Sequence, residues 1–131
     1  MYSVENIEVN LMVPSVEETV DWYGEVLGWE GALDVFDDGN CTFGSVGKDG
    51  NVLNLMRGDG GGGDFVIFIH VDDVVEVYER VVETWNVESE LQDTFWGGRT
   101  FLIKDVNGYK LQFVEMVEEL DLEEIRERKE N

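Results

Sequence analysis

The chain has 131 residues, 43% of them hydrophobic, which is enough for one domain-sized core or for two small modules that share one. Its 30 acidic and 9 basic residues give a formal net charge of −21. Nucleic-acid backbones and anionic membrane surfaces bind proteins through clustered Lys and Arg, so we expect neither as a partner.

The acidity reflects a loss of lysine as well as a gain of acids, because only four lysines are present: Lys48, Lys104, Lys110 and Lys129. This pattern is the one that we expect in a halophile, a protein from a high-salt cytoplasm. The alternative is an acidic protein with no adaptation to salt. The dependence of stability on salt separates the two, because salt screens self-repulsion.

The single cysteine, Cys41, has no partner for an internal disulfide and no Cys-x-x-Cys spacing. We expect it to be a small buried apolar residue. The first residues, MYSVENIEV, lack a basic region followed by an apolar run, and no segment approaches a membrane span. We therefore expect a cytoplasmic location.

Apolar residues alternate from Ile7 to Val13, which predicts a strand buried on one face. Pro14 ends this strand, and Ser15 with Glu18 has the pattern of a capping box that begins a helix. Apolar residues then recur at helical spacing as far as Gly28, which can end the helix: Val16, Val20, Tyr23, Val26 and Leu27.

Three strands are predicted near 31–36, 40–47 and 51–57, because the turn sequences DDGN and KDGN separate them. The first module is thus βαβββ. The segment GDGGGGD that follows is interpreted as a flexible linker. A phosphate-binding loop is the alternative, but no Gly-Lys-Ser/Thr follows these glycines, and they do not stand between a strand and a helix.

The second module repeats the first 58 residues later: Asp73 takes the place of Ser15, and the same offset pairs Thr42 with Thr100 and Phe43 with Phe101. Its predicted elements are a strand over 65–71, a helix capped by Asp73 and Glu76, and strands near 89–94, 98–105 and 109–116.

We therefore predict an α+β fold, with two βαβββ modules in tandem and a pseudo-twofold relationship, whose curved mixed sheets surround a cleft. The single domain 1–131 comprises module one 5–57, the linker 58–64, module two 65–117 and a C-terminal helix 118–131. This helix is interpreted as solvated or edge-covering, with a subunit contact as the alternative. Concave junctions of this kind favour ligand sites.

Three segments carry a family resemblance: VPSVEETVDWYGEVLGW, VDDVVEVYERV and WGGRTFLIKDVNGYKLQFVE. With them the chain resembles the vicinal oxygen chelate superfamily, which includes glyoxalase I, extradiol dioxygenases, methylmalonyl-CoA epimerase and bleomycin resistance proteins. The motifs span nearly the whole chain. They are specific for the fold and not for one activity.

The resemblance also implies where a metal would be held, since metal-dependent members take ligands from the first and last strands of each module. Those positions are Glu8, Asn54, Val66 and Gln112 in this chain. Such sites need imidazole and carboxylate donors, whereas here one carboxylate accompanies two neutral amides and a valine. We expect no metal cofactor, and a divalent metal is the alternative.

Two residues are candidates for proton transfer. Glu8 in a half-apolar cleft would be partly desolvated, which suits it to catalysis or to a cationic ligand; the alternative is a structural pair with a base such as Lys110. His70, the only histidine, shares a strand face with Val66 and Phe68. It is a candidate general acid or base, or a cleft-edge histidine without a catalytic role.

The remaining candidates are expected to bind and orient a ligand. Neutral hydrogen-bonding and apolar groups facing the cleft are Asn10, Met12, Asn54, Phe68 and Gln112. The WGGR segment resembles a similarly placed one in bleomycin-resistance-like proteins, so Trp96 is expected to stack on a planar ligand and Arg99 to bind an anionic one. Trp96 capping the sheet edge is the alternative.

These observations favour a metal-independent protein of the glyoxalase and bleomycin resistance type that binds an unknown small molecule, as a homodimer. The alternative is a divergent metal-dependent lyase, isomerase or dioxygenase of the same superfamily. An interaction module that uses its acidic surface to meet a basic partner is a third hypothesis, and salt would then abolish binding.

Overall fold

The computed structural model describes residues 1–130. The chain forms two compact units, one over Met1–Gly61 and one beginning at Gly62. Each contains a four-stranded mixed sheet, so the predicted α+β fold of tandem βαβββ modules is confirmed. Within residues 1–130 no helix is long and apolar enough to cross a membrane.

The first unit follows the predicted element order. Its elements are β1 (Asn10–Val13), α1 (Val16–Trp22), β2 (Glu30–Asp37), β3 (Asn40–Lys48) and β4 (Asn51–Arg57). The sheet order is β1-β4-β3-β2, with β1 parallel to β4 and the other neighbours antiparallel. The parallel pair is possible because α1 returns the chain to the far edge of the hairpins.

Helix α1 begins as its sequence predicts, with the Ser15 Oγ accepting a hydrogen bond from the Glu18 backbone N–H at 3.1 Å. After Trp22 the helix widens into a π-helical segment, Tyr23–Leu27, and it ends at Gly28 with φ 72°. That left-handed conformation is one that glycine adopts without a Cβ clash.

The second unit repeats this plan and adds a helix. Its elements are β5 (Val66–His70), α2 (Val74–Val82), β6 (Ser89–Asp93), β7 (Gly98–Lys104), β8 (Lys110–Met116) and α3 (Leu122–Glu130). The order β5-β8-β7-β6 matches that of the first sheet. The predicted C-terminal helix thus begins at Leu122 rather than at residue 118, and Asn131 lies outside the described residues.

Aromatic rings fill the space between α2 and its sheet. Phe101 and Phe113 stack with ring centroids 5.1 Å apart, and Tyr78 of α2 meets Phe101 edge-on at 5.2 Å. Both phenylalanines are buried. The alternate residues of β7 and β8 therefore project from the opposite face of the sheet.

The first strand is shorter than the alternation of apolar residues predicted. It starts at Asn10, while Ile7 is 83% exposed and Val9 is 48% exposed. Apolar alternation produces a buried strand face only where something covers that face. Glu8 accordingly precedes β1 instead of lying within it.

The constant offset of 58 residues does not hold along the third strand of each unit. Asn54 pairs with Ser45, whereas its counterpart Gln112 pairs with Leu102, which is 57 residues after Ser45. The cause is the turn: β3 and β4 are joined by the two-residue turn Asp49-Gly50, while β7 and β8 are joined by the loop 105–109. By register, Thr100 corresponds to Phe43 and not to Thr42.

Candidate ligand-binding face

Each sheet has one face toward its helix and one face away from it, and we call the second the open face. Strand alternation fixes its members: Leu11, Leu55, Leu111 and Phe113 face the helices, and the residues between them lie on the open face, where Thr100 and Val114 are buried as well. In the first unit the open face carries Asn10, Met12, Phe43, Ser45, Asn54 and Met56. In the second it carries Phe68, His70, Thr100, Leu102, Gln112 and Val114.

Trp96 reaches the open face of the second unit from the turn before β7. A Cβ on Gly98 would lie 2.4 Å from Cζ3 and 2.6 Å from Cη2 of Trp96, so the indole occupies the place of the missing side chain. On its other side the ring stacks with Phe68, at 6.5 Å between centroids and 23° between planes. The two rings form one aromatic surface, with Phe68 50% exposed.

A short polar pair lies beside this surface. The Gln112 Nε2 donates a hydrogen bond to the Thr100 Oγ1 at 2.9 Å, and Thr100 is only 3% exposed. This bond fixes the side-chain amide of Gln112 on the open face, one strand away from its parallel partner Phe68. The Gln112 carbonyl oxygen can accept hydrogen bonds in addition.

His70 is next to Phe68 on the same strand face. The imidazole centroid is 6.4 Å from the Phe68 ring, and His70 is exposed. Val66 is also exposed, at the other end of the strand. The structure therefore brings together four of the candidates from the sequence: Phe68, His70, Trp96 and Gln112.

In the first unit Glu8 lies beside β4. Its Oε2 accepts a hydrogen bond from Asn54 Nδ2 at 3.3 Å, and its Oε1 accepts one from Asn6 Nδ2 at 3.3 Å. Glu8 is exposed to solvent, which does not agree with the partly desolvated environment expected of it. Asn10 pairs with Asn54 in register, which places two amides side by side.

Met12 lies against the start of the linker. A Cβ on Gly58 would be 2.3 Å from the Met12 Cε, and one on Gly60 would be 3.1 Å from its Cβ. The linker backbone therefore passes close over the methionine, and a side chain at position 58 would displace the flexible end of Met12. A depression of about 280 Å³ lies farther along this sheet, lined by Glu30, Ala32, Ser45, Gly47 and Val52 among others.

Arg99 does not join the candidate site. It projects from the helix-covered face and holds Asp93 with two hydrogen bonds, Nε to Oδ1 at 2.7 Å and Nη2 to Oδ2 at 3.3 Å. This pairing lowers the pKa of the Asp93 carboxyl. Arg99 is thus on the side opposite to Trp96, and it is not placed to bind a ligand on the open face.

Two carboxylates with structural roles were not anticipated from the sequence. The Glu115 Oε1 accepts the backbone N–H of Val74 at 3.0 Å, at the start of α2, and the Glu17 Oε2 accepts that of Cys41 at 3.1 Å. The Cys41 bond lowers the pKa of Glu17. Cys41 itself is buried, as expected.

The residues at the four family metal positions do not fit a transition-metal centre. Asn54 and Gln112 direct amide nitrogens, which are donors, toward Glu8 and Thr100, and Val66 has no donor atom to offer a metal. Across residues 1–130 no cluster of three or more His, Cys, Asp and Glu side chains could hold an ion. Divalent iron, zinc or manganese needs several imidazole or carboxylate ligands, and Glu8 is the one such residue among these four.

A family model described as the Glyoxalase/Bleomycin resistance protein/Dioxygenase superfamily matches residues 7–113. The chain belongs to this superfamily. The match covers both modules, which agrees with the resemblance carried by the motifs of α1, α2 and β7–β8. The superfamily contains unlike activities, so membership alone does not assign one.

Several solved structures of other proteins share the fold. A glyoxalase-related enzyme from Clostridium phytofermentans is 24% identical, with a TM-score of 0.77 over 88% of this chain and 98% of that one. TioX from Micromonospora sp. ML1 is 23% identical, with a TM-score of 0.71 over 86% and 99%. A member from Sphaerobacter thermophilus is 23% identical, with a TM-score of 0.66 over 84% and 97%. Identity at this level supports the fold and no more.

The comparison with curated proteins gave no significant match.

Proposed function

We propose that this superfamily member is a small-molecule-binding protein that works without a metal cofactor. The single observation that carries the proposal is the aromatic surface of Trp96 and Phe68 on the open face of the second unit. Planar rings bind planar ligands by stacking and by displacing water from apolar area.

Polar groups beside the rings support an orienting role. Gln112 is fixed by Thr100 and has a carbonyl oxygen with acceptor capacity, and His70 lies at the edge of the aromatic surface. Apolar walls with a few fixed polar groups are typical of small-molecule sites. A metal centre would instead need the amides of Asn54 and Gln112 replaced by stronger donors.

The test is a thermal-shift screen of planar small molecules, run with and without a chelator. A ligand that binds the native state raises the melting temperature by mass action. We expect the shift to persist with the chelator and to be lost in Phe68→Ala and Trp96→Ala. Phe36→Ala, which removes an aromatic ring 53% exposed in the first unit, is the matched control and should keep the shift.

We also propose that the protein is a homodimer. Exposed apolar side chains outside the aromatic surface, on both units, support an apolar contact: Leu33, Val35, Val52 and Phe65. Light scattering coupled to size exclusion gives the mass directly. A monomeric mass at micromolar protein concentration would contradict this part of the proposal.

A further inference from the structure

Two of the four lysines in the chain lie directly opposite each other at one end of the open face of the second unit. Lys104 is the last residue of β7 and Lys110 the first of β8, and the two are register partners. Both share the strand parity of Gln112, so they belong to the same open face. Val66 of β5 is the next partner across the sheet.

This pairing places like charges together in a chain that is otherwise strongly acidic. Side chains directly opposite on antiparallel strands have Cβ atoms about 5 Å apart, and like charges there destabilise the sheet. Ion pairs in the described residues include Lys48–Asp49, Arg99–Asp93 and Arg128–Glu118. No carboxylate pairs with Lys104 or Lys110 in the part of the chain that the structure describes, although the chain carries 30 acidic residues.

The lysine pair lies on the same face of the sheet as the aromatic surface. Along β8 the open face passes from Lys110 to Gln112, and along β5 it passes from Val66 to Phe68. Each step of two residues covers roughly 6.6 Å, since a strand rises about 3.3 Å per residue. The lysine row is thus one such step from Phe68, with Lys110 one strand across and Lys104 two. It lies on the side away from Trp96, which covers Gly98 at the other end of β7, so a ligand on both rings reaches the lysines through a group that extends beyond the ring on Phe68.

We propose that the ligand is a planar aromatic molecule with an anionic group, and that Lys104 and Lys110 bind that group. This inference rests on the proposed function and specifies its ligand class. Two ammonium groups side by side supply several donors for a carboxylate, sulfonate or phosphate, and bound anion removes their mutual repulsion. Arg99, the residue expected from the sequence to bind an anion, is held by Asp93 on the other face.

The test uses two fluorescent probes that differ only in the anionic group. These are 8-anilinonaphthalene-1-sulfonate and the neutral N-phenyl-1-naphthylamine, titrated at the lowest salt at which the protein stays folded. We expect the sulfonate to bind more tightly. Lys104→Gln and Lys110→Gln should each weaken its binding by about three- to tenfold, as for a partly exposed charge contact, and leave the neutral probe unchanged.

Controls separate this inference from the proposed function. Lys48→Gln removes a lysine from the first unit and should change neither titration, and Phe68→Ala should weaken both probes. Equal affinity for the two probes, with Phe68→Ala still weakening both, would overturn the anion site and keep the binding face. If neither probe is weakened by Phe68→Ala, both are overturned.

Discussion

Gly98 and Trp96 form a matched pair, because the indole fills the space that any side chain at position 98 would need. A Cβ there would approach two ring carbons to 2.4 Å and 2.6 Å, well inside ordinary contact. The ring cannot move without losing its stacking on Phe68. The second glycine of WGGR is therefore part of the binding face.

Gly98→Ala tests this relationship. We expect it to displace the indole, to cost about 1–3 kcal/mol as an overpacking substitution and to weaken ligand binding. Urea unfolding and probe titration measure the two effects. Gly63→Ala is the matched control, since a Cβ there meets only Phe65 Cδ1 at 3.8 Å and should be tolerated. Unchanged binding in Gly98→Ala would contradict the placement of Trp96.

The turn that carries Trp96 is attached to the C-terminal helix. Arg128 holds Glu118 through two hydrogen bonds, and the Lys129 Nζ lies 5.9 Å from the Phe95 ring centroid. The backbone carbonyl of Gly97 accepts the N–H groups of Val117 and Glu118, at 2.9 Å and 3.1 Å. Glu118 thus connects the turn to α3 through Arg128, and Phe95 connects it to α3 through Lys129.

We predict that Arg128→Gln loosens this turn and changes the environment of Trp96. Fluorine NMR of protein labelled with fluorotryptophan resolves the effect, once Trp96→Phe assigns its signal among the four tryptophans. Arg126→Gln removes the same charge from the same helix and is the control. The Trp96 signal should shift or broaden in Arg128→Gln alone; identical spectra for the two variants would refute the attachment.

The same ion pair gives a pH dependence. Its hydrogen bonds from Arg128 lower the pKa of Glu118 in the folded state. Because the folded pKa is lowered, the Arg128–Glu118 pair stabilises the folded state fully above the ordinary glutamate pKa. This stabilisation is lost as pH falls through the lower folded pKa. We expect the difference between the Trp96 signals of the unsubstituted protein and of Arg128→Gln to be constant from neutral pH down to about pH 5 and to disappear only in more acidic solution. This comparison isolates Glu118 from other groups that titrate near the ring.

Asp105 holds the loop that sets the register between β7 and β8. It is 3% exposed, and its Oδ1 accepts the backbone N–H groups of Asn107 and Tyr109, at 2.8 Å and 2.9 Å. Asp105→Ala should therefore cost about 2–4 kcal/mol in the free energy of unfolding, because buried donors lose a charged acceptor. Asp105→Asn retains an acceptor oxygen and should cost less. Equal, small losses in urea unfolding would count against this role.

The net charge of −21 predicts stability that rises with salt. Salt screens repulsion among the carboxylates, with a Debye length that falls from about 10 Å at 0.1 M to about 3 Å at 1 M. We expect the thermal midpoint in molar potassium chloride to exceed that in dilute buffer. A midpoint independent of salt would remove the basis for a high-salt origin.

Much of the fold could be predicted because local signals agreed with each other. The same βαβββ order was indicated by the capping residues Ser15 and Asp73, by the glycine turns, and by apolar spacings typical of strands and of helices. The structure shows both caps in place. The register along β7 could not be predicted in the same way. It depends on the loop 105–109, whose length shifts the strand pairing without changing the apolar pattern.

The site was predicted only in part for a related reason. Trp96 reaches the open face from a turn, so strand alternation does not govern it, while alternation does place Arg99 on the opposite face. The role of Gly98 depends on where the indole lies, and the lysine pair depends on the exact partner of Lys104. Sequence spacing alone determines neither.

The most direct test of the account is a calorimetric titration of chelator-treated protein with Zn²⁺, Mn²⁺ and Fe²⁺, followed by a titration with a ligand from the screen. We predict no saturable binding of any of the three metals and undiminished ligand binding in their absence. Stoichiometric binding of one metal that is abolished by Glu8→Ala or Gln112→Ala, with ligand binding dependent on that metal, would contradict the account and support a metal-dependent lyase, isomerase or dioxygenase.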